Sequence, residues 1–242
     1  VGVESFVTQQ KAIGRIVGLL MLVQLIAGLI LPYALLSSLT APAGAFLQTA
    51  APLAGTVRLA ILVLFVGGVA SIAIAMLFWP VLIERHVWLA LGLFGLAMAN
   101  FCLQLIENAH WLTLLSISQT FAAADPAAID AYKPLALAAH ASFRWVHYSH
   151  ILIAVAWLLT LYLTLYRCAF VPRPLAGFGM AAALLHFIGI TLPAFGGYQM
   201  PAPELFGAPL GFASVVAGLW LLAKGFGSTT GSTVGGANPY TH

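Results

Sequence analysis

The chain has 242 residues, of which 62% are hydrophobic and only 6% charged, with a formal net charge of +3. A soluble domain carries roughly 25% charged residues, and a mean hydropathy of +1.03 leaves too little polar surface to cover a soluble globule. Scattered basic residues exclude a nucleic-acid-binding face, and the composition points to an all-α, polytopic integral membrane bundle.

In chain order, the first stretch able to span a bilayer covers about 13–36; a span needs about 20 mostly apolar residues. It opens between Lys11 and Arg15 and carries Gly14 and Gly18 in the segment GRIVG, a spacing that lets helices approach closely. Residues 37–56 form a longer connection with room for a short helix. The second span, about 57–79, starts at Arg58 and ends at Trp79 and Pro80. After Glu84-Arg85-His86 comes the third, about 87–116, with Gly92 and Gly95 as further small packing positions. Residues 117–142 are again a connection, and PAAIDAYKPLALAAH within it is expected to form a separate interfacial helix. The fourth span covers about 143–166. A basic, proline-containing turn, RCAFVPRP, leads to the fifth at about 175–195, and the sixth covers about 208–223. None of these runs alternates as a membrane β-strand does, so helices are expected. The expected organisation is a six-helix domain over 1–226 and a flexible Gly/Ser/Thr-rich tail over 227–242.

Six spans put both termini on one side. That side carries Lys11, Arg15, Arg85, Arg167, Arg173 and Lys224, and the other carries Arg58, Lys133 and Arg144. The bias places both termini in the cytoplasm. No cleavable signal pattern is expected, Cys102 and Cys168 read as free thiols, and no internal repeat is evident.

Chemistry concentrates in two places. ANFCLQLIENAHW in the third span puts Asn100, Gln104, Glu107 and Trp111 within about 60° of one another, with His110 about 60° to the side. HASFRWVHYSH, opening the fourth span, puts His140, Arg144, His147 and His150 within a stripe of about 120°. Ionisable groups in a span usually face the bundle interior and pair. Counted from Val87, Glu107 stands about 30 Å up a straight helix, level with the entries of Arg144 and Arg58. A polar layer of Arg58, Asn100, Gln104, Glu107, His110 and Arg144 follows. Within it a Glu107–Arg144 ion pair is expected, with Arg58 as the competing partner. His147 and His150 lie about 6 and 12 Å deeper. With His186 of the fifth span they make a candidate haem or transition-metal site, since imidazole suits both. The competing reading makes these histidines hydrogen-bonding groups between helices.

No lysine sits mid-span to hold a retinal Schiff base. HExxH, GxSxG and P-loop motifs are missing. Trp79, Trp88 and Trp145 fall near span ends, as in an interfacial belt.

The segments RIVGLLMLVQLIAGLILPYALL, VRLAILVLFVGGVASIAIAMLFWPVL and LYLTLYRCAFVPRPLAGFGMAAALLHFIG, with the closing LWLLAKGF, resemble the bacterial multi-span membrane family known as domain of unknown function 4386. The likeness covers about residues 12–226. Its best matches are the arginine-opened first two spans and the turn of Phe170, Pro172, Arg173, Leu175 and an offset Gly177. The resemblance implies a multi-span helical protein of the bacterial inner membrane without an assigned reaction, so it carries over no catalytic residue.

The first functional expectation is a non-enzymatic accessory subunit or lipophilic-ligand-binding protein of a larger membrane complex, with bound lipids and other membrane subunits as partners and no nucleic acid. The alternatives are a redox protein with haem or metal at His147, His150 and His186, and a small transporter gated by the Glu107/Arg144 layer.

Overall fold

The computed structural model describes residues 3–36, 39, 45–125, 129–196 and 203–226. The expected tail, 227–242, lies outside the described residues. Helices make up the architecture, with no strand among the described residues. They are α1 (Val3–Leu25), a π-helical turn (Ile26–Ile30), α2 (Leu31–Leu35), α3 (Phe46–Thr49), α4 (Ala54–Leu82), α5 (Val87–Ala122), α6 (Ile129–Arg167), α7 (Arg173–Gly196) and α8 (Ala208–Lys224). Two 3₁₀ turns, Ala51–Leu53 and Pro203–Gly207, lead into α4 and α8. Six helical segments are long and apolar enough to cross a membrane, as expected.

The six pack as a closed ring. Each spanning helix lies against its predecessor and successor, and α8 returns to α1. That closure depends on glycine. A Cβ on Gly14 would stand 2.1 Å from the backbone nitrogen of Phe226, and one on Gly18 would stand 2.5 Å from that of Leu222. The GRIVG segment is therefore the α1–α8 seam. Gly95 marks no close approach, because nothing lies within 4 Å of a Cβ built there.

α1 begins and α8 ends at the same end of the bundle, here the terminal end. Gly225 takes φ +70° there, with Lys11 pressed against it. Phe170, from the α6–α7 turn, stacks on Phe226 at 4.1 Å, and Phe78 of α4 completes the cluster. The carbonyl of Pro172 accepts from the amides of Leu175 and Ala176 and so starts α7. The Phe-x-Pro-Arg turn thus ties two helices to the last one.

At the opposite, far end the structure departs from expectation. PAAIDAYKPLALAAH forms no separate interfacial helix: from Ile129 onward it is the start of α6, which runs unbroken to Arg167. α5 and α6 are then about 54 and 58 Å long, against a hydrocarbon core of about 30 Å. They overshoot as a hairpin, and the short α3 packs on it. Ser118 of α5 fastens this cap, accepting from the amide of Ala51 and donating to the carbonyl of Leu47, both at 2.9 Å.

Two apolar cores result. One fills the terminal half with Trp157, Tyr162, Leu161, Ile74 and their neighbours. The other lies under the cap with Phe46, Leu64, Trp111, Leu114 and Phe143. Between them runs a buried polar layer.

Candidate functional site: a carboxylate between two imidazoles

The layer is built on α5, where Asn100, Gln104, Glu107 and Asn108 are all buried. Their spacing follows one helical stripe. α4 presents the small residues Gly68 and Ser71 here, and the Ser71 hydroxyl donates to the Gly68 carbonyl at 2.6 Å. A Cβ on Gly68 would come within 2.8 Å of Gln104 Oε1, so the glycine makes room for the amide.

α6 supplies the partners of Glu107. His147 Nδ1 lies 2.8 Å from Glu107 Oε1, and His150 Nδ1 lies 2.5 Å from Glu107 Oε2. The Glu107 side chain is 8% exposed, His150 14% and His147 39%, so the centre is enclosed except on the His147 side. An ionised carboxylate only accepts, so each imidazole donates an Nδ1–H to it, and Nε2 is bare wherever the imidazole is neutral. A column of rings sets His147 in place: Trp111 lies 4.1 Å from Phe143, and Phe143 stacks on His147 at 5.5 Å.

The expected Glu107–Arg144 pair does not form. The inward face of α6 is carried by Phe143, His147 and His150, and Arg144, one position from Phe143, turns to the exposed side. Its guanidinium lies over Trp145 at 5.8 Å. Arg58 is likewise exposed, on the first turns of α4. The polar layer therefore contains Asn100, Gln104 and Glu107 of the expected set and gains Asn108, His147 and His150, while both arginines leave it. His110 stands beside it, donating from Nδ1 to the Ile106 carbonyl at 2.9 Å, with Ser142 Oγ 3.2 Å from its Nε2. His140 sits nearer the cap, its ring 6.3 Å from Phe46.

The expected haem or metal trio is not brought together either. His186 packs against Gly207, where a Cβ would meet its ring at 2.9 Å, and its Nδ1 is buried without a hydrogen-bond partner. Its neighbour at Gly207 belongs to the Pro203–Gly207 turn. His147 and His150 meet different oxygens of one carboxylate instead of converging on a shared point. Among the described residues no group of three His, Cys, Asp or Glu side chains is arranged to hold a metal ion.

Sequence reasoning found both clusters and mispaired them. The usable signal was the i, i+3 spacing of His147 and His150 in phase with Phe143, an apolar residue that marks the buried side of α6. Asn108, four residues past Gln104, and Ser118, seven past Trp111, fall in phase with the α5 stripe. Ser214, the lone polar group in the last span, pairs with Tyr162 across the terminal core at 3.0 Å.

A closed ring of six membrane-length helices with a carboxylate–imidazole centre between two apolar cores defines a multi-span membrane-type bundle. Its composition fits an integral membrane protein. The chain belongs to the family described as Domain of unknown function (DUF4386), whose sequence model matches residues 16–225. No curated protein and no solved structure matches the chain.

Proposed function

We propose that this is a non-enzymatic, lipophilic-ligand-binding protein of the bacterial inner membrane, with both termini in the cytoplasm, working as an accessory subunit of a larger membrane assembly. The observation that carries the reading is a cleft of about 210 Å³ between α6 and α7, lined by Arg144, Trp145, Tyr148, Pro193 and Ala194. Arg144 has no carboxylate partner among the described residues. A cation beside two amphipathic aromatic rings, at the level where α6 enters the membrane, suits the head of an anionic lipophile, with its tail along the neighbouring apolar faces. The exposed Phe195, whose ring lies 6.0 Å from Trp145, extends that apolar path. Large apolar side chains on the outer faces, including Leu62, Met76 and Phe212, offer contact to lipid or to a partner's helices.

Native mass spectrometry of the protein from mild detergent tests this. The wild type is expected to retain an anionic lipophile, and Arg144→Gln to lose at least about nine-tenths of it, the loss of one charge-assisted contact. Equal retention by the two proteins overturns the reading.

A further inference from the structure

We propose that Glu107, His147 and His150 form one proton-binding centre, a single carboxylate serving two imidazoles.

The geometry gives three grounds. Both carboxylate oxygens are engaged, each by a different Nδ1, at 2.8 and 2.5 Å. A proton added to either imidazole is therefore felt by the other through the carboxylate they share, and the pair titrates as a unit. With Glu107 ionised and both imidazoles neutral, the enclosed site holds one uncompensated negative charge. One added proton, taken at an Nε2, makes it neutral, and a second makes it positive. In a low-dielectric layer the middle state is favoured over both neighbours.

The centre is most open at His147. His147 is the most exposed member, and it lies on the cap side of the centre. On the other side Val155, Trp157, Leu161 and Leu165 of α6 are buried in the terminal core, and the polar groups of Tyr162 and Thr164 there are bonded to Ser214 and to the Thr160 carbonyl. Around the centre, Asn100 Oδ1, Asn108 Oδ1 and Trp111 Nε1 are buried without hydrogen-bond partners among the described residues. Two spare acceptors and a spare donor suit water that carries the proton in.

The surrounding groups leave the charge balance to these three residues. On α5, Asn100, Gln104 and Asn108 are uncharged, and His110 is held by Ile106 and Ser142. α4 turns Gly68 and Ser71 to the layer and keeps Arg58 exposed. On α6, Arg144 faces outward and His140 lies against Phe46. His186 of α7 packs on Gly207.

The test is nitrogen NMR of the full chain in lipid nanodiscs, with isotope-labelled histidine, from about pH 5 to about pH 9, the range in which imidazoles titrate. His147 and His150 are expected to take up protons in two steps at least about tenfold apart in proton concentration, with Nδ1 keeping its hydrogen throughout and Nε2 titrating. His147→Gln leaves a single step, on His150. Glu107→Gln brings the two steps to within about fivefold and removes the tautomer preference. The proposal is overturned if the two histidines titrate independently in the wild type, or if Glu107→Gln leaves steps and tautomers unchanged. Should Glu107→Gln not fold, His147→Gln decides: an unaltered His150 titration overturns the proposal, and a shifted one supports it.

Discussion

The ring of helices closes at the α1–α8 seam, and that seam is where a single methyl group should do most damage. In Gly18→Ala the new Cβ would lie 2.5 Å from the Leu222 nitrogen and 2.6 Å from the Gly218 carbonyl oxygen, both backbone atoms. Carbon contacts settle near 3.5 Å. Backbone cannot rotate away as a side chain does, so α1 and α8 must part by about 1 Å along the crossing. Overpacking of this kind costs about 1–3 kcal/mol, and lost contacts at Leu22 and Leu221 on either side add to it. Gly14→Ala meets Phe226 at 2.1 Å and should be at least as harmful. The matched controls are Gly95→Ala and Gly211→Ala, helical positions with nothing within 4 Å of the new atom. There alanine should be neutral or stabilising by about 0.5–1 kcal/mol, from helix propensity alone. Thermal unfolding in one detergent, followed by helical circular dichroism, ranks the four proteins. The reasoning fails if Gly18→Ala melts with the wild type, or if the controls melt with Gly18→Ala.

Ser118→Ala strips the Ala51 amide and the Leu47 carbonyl of their shared partner, so the cap should loosen by about 1–3 kcal/mol. Faster hydrogen exchange confined to α3 and the 3₁₀ turn after it would show this, whereas unchanged exchange would mean the hydroxyl does not hold the cap. Tyr162→Phe removes a hydroxyl that meets Ser214, which keeps its own bond to the Leu210 carbonyl. The expected cost is only about 0.5–1.5 kcal/mol, and a collapse in stability by thermal melting would contradict that small figure. The Arg144→Gln lipid measurement and the histidine titration complete the set.

Glu107 shows how far a sequence pattern carries. Its burial followed from its place on the Asn100–Gln104–Glu107–Trp111 stripe, because a charge inside an apolar run is driven to the bundle interior. Its partner did not follow. Arg144 and the histidines shared one broad stripe on paper, and about 60° of rotation decided between them. Phe143 and Val155 settled that rotation by packing into two different cores. The same lesson applies to the hairpin beyond the membrane. Residues 117–142 read as a connection with its own interfacial helix before the fourth span, yet Ala136 and Phe143 pack under the cap and the helix runs continuous from Ile129.

Sequence alone determined the membrane class, the six helices, the small-residue spacing of Gly14 and Gly18, and the two stretches holding the ionisable groups. Each depends on local composition and period, which need no knowledge of neighbours. Tertiary structure alone decided that α8 closes on α1, that Ser118 fastens the cap, that His186 turns to Gly207, and that Glu107 joins His147 and His150 while Arg144 faces out. These are pairings between segments distant in the chain. A helix's own periodicity fixes which residues share a face, and only the packing of its neighbours fixes where that face points.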